Sequence, residues 1–307
     1  MTEAISKAAA GALMAAELES QPDIWQTAIA QARQENQQDQ RLLPAHGDRV
    51  AVIGCGTSWF MAQSYAAARE QAGLGVTDAF TATELPVNRD YDAVLAITRS
   101  GTTTEILDIL RRLQGTIPTA LIVGDTHAPA SGLADNVIGL PYADERSVVQ
   151  TRFATAALGY LLTDIGMDLA PAVRDAHAVL SEPLDSSLLT AEQFSFLGQG
   201  WTIGLAHEAA LKMREAVQGW TESYPAMEYR HGPISIAAPG RVTWMLGEAP
   251  EGLRQDVEAA GASFIAAPTH PLAELVRVHR LALARSLNRG LDPDHPRNLS
   301  RSVILDS

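Results

Sequence analysis

Residues 49–58 read RVAVIGCGTS: four apolar residues in a row, then Gly54, Cys55, Gly56, Thr57 and Ser58, running directly into a helical pattern. A short run apolar on both faces is what a strand inside a parallel sheet requires, because crossover helices cover both of its sides. The same sentence is written again at residues 92–105, DAVLAITRSGTTTE, and more briefly at TALIVGD (119–125) and NVIGLPY (136–142). A second series opens at FSFLGQG (194–200), passes through a helical stretch from about Gly204, and continues with RVTWMLGE (241–248) and ASFIAAP (262–268). Strands alternating with helices predict an α/β fold built from parallel sheets. The repetition predicts two related units.

Around this frame, residues 1–45 read as a helical segment. Met14, Leu18, Ile24, Trp25 and Ile29 form an apolar stripe interrupted at Pro22. Residues 46–170 are expected to form the first domain and 190–289 the second. The linker between them is expected at 169–189, where Pro171, Pro183 and several Ser and Asp residues cluster. Residues 290–307, with Pro293 and Pro296, are expected to be an extended or looped tail.

Composition narrows the function. The 307 residues are 46% hydrophobic and 19% charged, as in an ordinary globular protein, and their formal charge of -13 argues against a nucleic-acid or anionic-membrane binder. No run is long and apolar enough to span a bilayer, and the first residues lack the basic and apolar regions of a signal peptide. Cys55 is the single cysteine. No internal disulfide or Cys/His metal site is therefore expected, and a reducing cytoplasm fits. The chain has 21 arginines but only Lys7 and Lys212 as lysines. Chemistry needing a lysine amine has two places to occur.

Gly56, Thr57 and Ser58 on the first turn, and Thr98, Arg99, Ser100 and Thr103 on the next, put hydroxyls and backbone N–H groups at strand C-termini before helices. Parallel sheets bind ligands at that edge, and helix N-termini bind anions. A phosphate is the favoured ligand; the alternative is a Ser/Thr cap on an ordinary helix. Farther on, Glu208, Lys212 and Glu215 share one face of a helix. Taken alone, they read as an exposed ladder of alternating charge. His231 lies in the turn Arg230-His231-Gly232-Pro233.

In order, residues 54–58, 98–105, the segment EAALKMREAVQGWTESYPAMEYRHGP (208–233) and the tail HPRNLSRSV (295–303) resemble the sugar isomerase (SIS) family. The likeness is to the isomerase part of glucosamine-6-phosphate synthase and to SIS-type amino-sugar-phosphate deaminases and isomerases, over roughly residues 45–303. The resemblance implies two SIS domains, each a doubly wound, flavodoxin-like parallel sheet flanked by helices, with the tail closing over the site. It implies a hexose- or amino-hexose-phosphate substrate held by Ser58, Ser100 and Thr103, with no cofactor and no metal. Glu215 would move a proton between C1 and C2, Lys212 would help arrange the site, and His231 would assist ring opening from across a homodimer interface. The residues also depart from the family pattern. Thr98 and Arg99 stand where the synthase has Ser-Gln, and Arg99 offers charge to the phosphate. Arg152 and Arg301 stand where relatives have lysine, and Arg301 cannot form an imine because arginine stays protonated; it is free to pin a substrate hydroxyl or carboxylate. Thr2 occupies the place of the glutaminase cysteine, so glutamine is not expected as nitrogen donor. An isomerase or deaminase is expected. The alternative is a non-catalytic sugar-phosphate-binding regulator.

Overall fold

The computed structural model describes residues 9–38 and 41–305; Thr2 and Lys7 lie outside them. Two helices lead, α1 (Ala12–Glu19) and α2 (Gln21–Gln37), and Pro22 falls in the first turn of α2, where its missing N–H costs nothing. The first unit follows as β1 (Val50–Gly54), α3 (Thr57–Gln71), β2 (Thr77–Thr81), β3 (Ala93–Thr98), α4 (Thr104–Leu113), β4 (Thr119–Val123), β5 (Asn136–Gly139) and α5 (Arg152–Asp164). After α6 (Ala170–Ser181) and α7 (Ser186–Thr190), the second unit runs β6 (Gln193–Gly198), α8 (Thr202–Val217), β7 (Thr221–Pro225), β8 (Arg241–Met245), α9 (Leu253–Ala259), β9 (Ser263–Ile265) and α10 (Pro271–Asn288). Residues 291–305 form no helix or strand, as expected of the tail.

Every strand pairing is parallel. The first sheet has the order β2-β1-β3-β4-β5 and the second β7-β6-β8-β9, so each starts in the middle and winds outward in both directions. The α/β expectation holds, with two parallel sheets. They do not have separate interiors, however. Val50 and Val52 of β1, Leu95 and Ile97 of β3, and Phe194, Phe196 and Trp244 of the second sheet lie in one continuous apolar core with residues of α1, α2, α5 and α10. Alternate residues of the first sheet, Ala51, Ile53, Val94 and Ala96, face the other way, onto Ile106, Ile109 and Leu110 of α4. Leu197 and Met245 face Leu253 and Val257 of α9 in the same manner. This two-sided burial explains why the central strands are apolar without alternation.

Two differences from expectation have simple causes. The edge strands β2 and β7 escape a reading of apolar runs because one side of each is unpaired and their residues are mostly half-buried, giving the mixed sequences TDAFT and TESYP. The expected linker is largely helical: Pro171 starts α6 rather than breaking a helix, and Val173, Ala176 and Val179 bury an apolar face.

Close approach places the two units. A Cβ on Gly54 would lie 2.5 Å from the Ser58 carbonyl carbon, and one on Gly198 would lie 2.3 Å from the Thr202 oxygen, so each sheet turns tightly into its following helix. Those two helices then pack on each other, and a Cβ on Gly204 of α8 would meet the Phe60 oxygen of α3 at 2.3 Å. That contact brings the start of α3 beside the middle of α8.

Candidate functional site

The turn between β3 and α4 gathers hydroxyls around a single point. Ser302 Oγ lies 3.2 Å from Ser100 Oγ, 3.0 Å from Thr102 Oγ1 and 3.3 Å from Thr103 Oγ1. Ser58, at the start of α3, lines the same small cavity with Cys55, Thr98, Arg99, Ser100, Thr103, Gln150 and Arg301. The cavity is about 30 Å³, which admits a water molecule but not a phosphate group. Ser58, Thr98, Ser100 and Thr103 thus line one cavity, and Ser302 of the tail bonds the hydroxyls of Ser100 and Thr103. Thr98 also has a local task, its Oγ1 accepting the Gly101 N–H at 3.3 Å. Gly56, with φ 55° and ψ -125°, shapes the turn that precedes Thr57 and Ser58.

The two arginines of this region are committed elsewhere. Arg99 is 2% exposed, and its terminal nitrogens donate to the carbonyls of Ser147 (2.8 Å) and Arg301 (2.8 Å). Burial pulls its pKa down, with Glu145 opposing. Only Nε has no hydrogen-bond partner among the described residues, so Arg99 lines the cavity while its fork ties the tail to the first sheet. Arg301 donates from Nε to the Glu145 carbonyl at 2.9 Å and from Nη2 to the Asp144 carboxylate. Arg301 thus ties the tail to Asp144 and Glu145 while its side chain, 37% exposed, also lines the cavity. Arg152 likewise bonds the Asp144 carbonyl and the Ser20 hydroxyl.

The buried centre lies on α8. Lys212 is 0% exposed and Glu208 1%, which overturns the exposed-ladder reading. Lys212 Nζ donates to the Thr57 hydroxyl at 3.2 Å and to Glu215 Oε2, and it lies 3.4 Å from Glu208 Oε1 in an ion-pair contact off the line of a hydrogen bond. Thr57 thus joins the end of β1 to the second unit. Burial pushes the Glu208 carboxyl up to about 8 against the pull of Lys212. Burial would by itself lower the Lys212 ammonium, but the Glu208 and Glu215 carboxylates more than offset it, and its net shift is upward. Glu215, whose side chain is 20% exposed, is the member of the group that meets solvent.

His231 ends the short turn Glu228–His231 and is exposed. None of the hydrogen bonds or ion pairs around Lys212 and Glu215 reaches it. Sequence reasoning missed two further pieces. Glu145, fully buried, accepts N–H groups from Thr151, Arg152 and Phe153 and so holds the start of α5. His279 of α10 stands 3.9 Å from Glu208. His279 meets Glu208 only through the fold, and the Glu145 contacts, though only six to eight residues away, belong to no regular helix or strand spacing. Among the described residues no cluster of His, Cys, Asp and Glu is arranged to hold a metal, and no helix is long and apolar enough to cross a membrane.

The fold that positions these residues has counterparts in solved structures. The chain superposes on glucosamine-6-phosphate deaminase from Thermotoga maritima with a TM-score of 0.80 at 21% identity, over 96% of this chain and 100% of that one. The fold matches that of the phosphosugar isomerases. Tagatose-6-phosphate ketose/aldose isomerase from Escherichia coli gives a TM-score of 0.79 at 18% identity, covering 99% of both chains. In sequence, the chain is 27% identical over 300 residues to the isomerizing glutamine–fructose-6-phosphate aminotransferase of Sulfurisphaera tokodaii, over 85% of this chain and 51% of that one. It thus spans about half the length of that relative. No family model matches the chain.

Proposed function

We propose that this chain is an enzyme acting on a hexose- or amino-hexose-6-phosphate, moving a proton between C1 and C2 as an aldose-ketose isomerase or as an amino-sugar-phosphate deaminase. The observation that carries the reading is the Lys212 ammonium, fully buried between Glu208 and Glu215 and tied to Thr57 beside the hydroxyl cradle. Such a cluster favours catalysis over binding alone, since burying two ionisable groups, Glu208 and Lys212, costs more than an apolar core of the same size.

In this reading Ser58, Ser100 and Thr103 hold the phosphate, with Ser302 of the tail yielding its place among them. Glu215 is the base: its carboxylate reaches solvent while Lys212 fixes its rotamer. One carboxylate takes the proton from one carbon of the open-chain sugar and returns it to the next, which requires placement more than strength. Lys212 stays an ammonium and Arg301 has no free amine, so no imine with the enzyme forms. With a 2-amino sugar, the ketose-imine left by proton transfer loses ammonia to water; with a 2-hydroxyl, the product is the ketose.

His231 is assigned to ring opening in the site of a second copy. It is exposed, and Trp220 and Met227, at 79% and 49% exposure, offer apolar surface in the same stretch of chain. The deciding experiment incubates the protein with glucosamine-6-phosphate, galactosamine-6-phosphate and fructose-6-phosphate in deuterated water and follows ammonia and deuterium by NMR. Exchange at C1 or C2 is expected, and Glu215→Gln should lower it by about 10³-fold, as for loss of a general base. Full exchange in Glu215→Gln would remove Glu215 from the mechanism.

A further inference from the structure

A chain of buried polar groups runs from the first helices to Glu208. The Trp25 indole N–H donates to Thr155 Oγ1 at 2.9 Å, and Thr155 Oγ1 lies 2.9 Å from Gln21 Oε1. The Gln21 amide nitrogen contacts the Leu18 carbonyl at 3.4 Å and His279 Nδ1 at 3.3 Å. His279 Nε2 then faces Glu208 Oε1 at 3.9 Å. Gln21 and His279 are both 0% exposed, and neither His279 Nε2 nor either Glu208 oxygen has a hydrogen-bond partner among the described residues.

The chain has a direction. An indole can only donate, so Thr155 accepts at one lone pair and shares its own proton among Gln21 Oε1 at 2.9 Å and the Thr151 and Arg152 carbonyls at 3.0 and 3.3 Å; the Leu18 carbonyl, which can only accept, turns the Gln21 amide nitrogen toward itself. With its oxygen so engaged, Gln21 presents N–H groups to Leu18 O and to His279 Nδ1. His279 must then accept at Nδ1 and carry its proton on Nε2, toward Glu208. Burial, with Lys212 adding to it, depresses the imidazole to about 3, which keeps it neutral and its tautomer fixed.

Resting on the reading of Glu215 as the base, we propose that His279 is a positioning residue: its fixed Nε2–H steadies the Glu208 carboxylate and so sets how firmly Lys212 grips Glu215. When Glu208 is neutral, the whole charge of Lys212 bears on the Glu215 oxygen that must take the proton. When Glu208 is ionised, Lys212 is shared and that oxygen is released. The groups facing Glu208 are Lys212 and Glu215 on its own helix, Thr57 on α3 and His279 on α10. Among them, Thr57, whose hydroxyl accepts from Lys212, and His279 are the neutral donors from outside the catalytic helix.

The test compares His279→Leu, which has no donor, with His279→Gln, which keeps an N–H, using C1/C2 deuterium exchange across pH 6–10. In His279→Leu the rising limb of kcat should move up by about half a pH unit, less than the worth of a full hydrogen bond to a charged group because the contact is 3.9 Å long, with KM changed less than about two-fold. His279→Gln should recover most of the wild-type profile. A merely structural role would lower both variants alike without moving the limb, and that outcome overturns the proposal. Should either variant fail to fold, ¹⁵N NMR of the wild-type histidines decides: the Nε2–H tautomer of His279, constant from pH 5 to 9, is expected, and an Nδ1–H tautomer overturns the proposal. That spectrum needs no substrate. Failure of every sugar to exchange would count against the functional reading alone.

Discussion

Replacing Glu208 by Gln isolates what a fully buried carboxyl does to this fold as pH changes. In the native state burial holds Glu208 up to about 8, against an ordinary value of 4.5. An acid raised in this way contributes stability that is complete below the unfolded value and is lost as pH rises toward the folded one, because the unfolded chain releases a proton that the native state must keep. His279 works in the opposite sense: burial depresses it from 6.5 to about 3, so its contribution grows as pH rises from 3 to 6.5. Between pH 4.5 and 6.5 the two slopes oppose each other. From pH 6.5 to 8 only the Glu208 slope remains, and 1.5 pH units at 1.36 kcal/mol each give a loss of about 2 kcal/mol. Glu208→Gln matches the protonated carboxyl in shape and charge, and His279, common to both proteins, cancels from the comparison, so the variant should equal wild type near pH 4.5 and gain on it as pH rises to 8, with about 2 kcal/mol of that gain between pH 6.5 and 8. Thermal melts of both proteins from pH 4.5 to 9 would show this as a gap that opens above pH 4.5 and widens by about 4 °C between pH 6.5 and 8. Parallel curves across the range would refute the burial argument, and a Gln variant weaker than wild type at every pH would mean that Glu208 is ionised even at pH 6.

Two further outcomes test the cradle and the tail. Ser100→Ala should raise the KM for a sugar phosphate about ten-fold with kcat little changed, as for the loss of one hydrogen bond to a charged group; an unchanged KM would place the phosphate elsewhere. Borohydride added during turnover should leave the protein mass unchanged, since Arg301 is latched to Asp144 and Lys212 is held as an ammonium; a sugar adduct on Lys212 would contradict that.

The parts legible in the sequence are those that depend on neighbours in the chain. Central strands such as 93–98 announce themselves because both faces are covered, and the cradle hydroxyls because a strand end and a helix start are adjacent. The edge strands β2 and β7 were hidden by their half-exposed faces, and α6 by a proline that starts a helix rather than ending one. Glu208 and Lys212 had the spacing of a surface ladder, and nothing within α8 tells that spacing from a buried ion pair. Their burial comes from α3 and α10, which reach them through the fold. Ser302 is the extreme case, 199 residues from Thr103 yet at its hydroxyl. The tail reaches it because Asp294, accepting the backbone N–H groups of Leu13 and Met14, fastens residues near 294 to the start of α1.

The turns of the two sheets also differ in a way that supports assigning the anion cradle to one unit and the proposed base to the other. Both turn from their first strand into the next helix through a glycine that must lie against the helix start, Gly54 in one and Gly198 in the other. After Gly54 come Thr57 and Ser58; after Gly198 come Gln199, Gly200 and Trp201, with Thr202 Oγ1 spent on the Gln199 N–H at 2.8 Å. The second turn closes on itself, and no free hydroxyl is left to face an anion. Its helix, α8, instead lies against α3, where Gly204 lets the backbones touch, and Lys212 thereby meets Thr57 one residue from Ser58 of the cradle. In the proposed reading, a substrate held at its phosphate by the first unit would thereby be offered to a carboxylate on the second. A bulky side chain at Gly204 should therefore separate binding from proton transfer, sparing the cradle while moving Glu215 away from it.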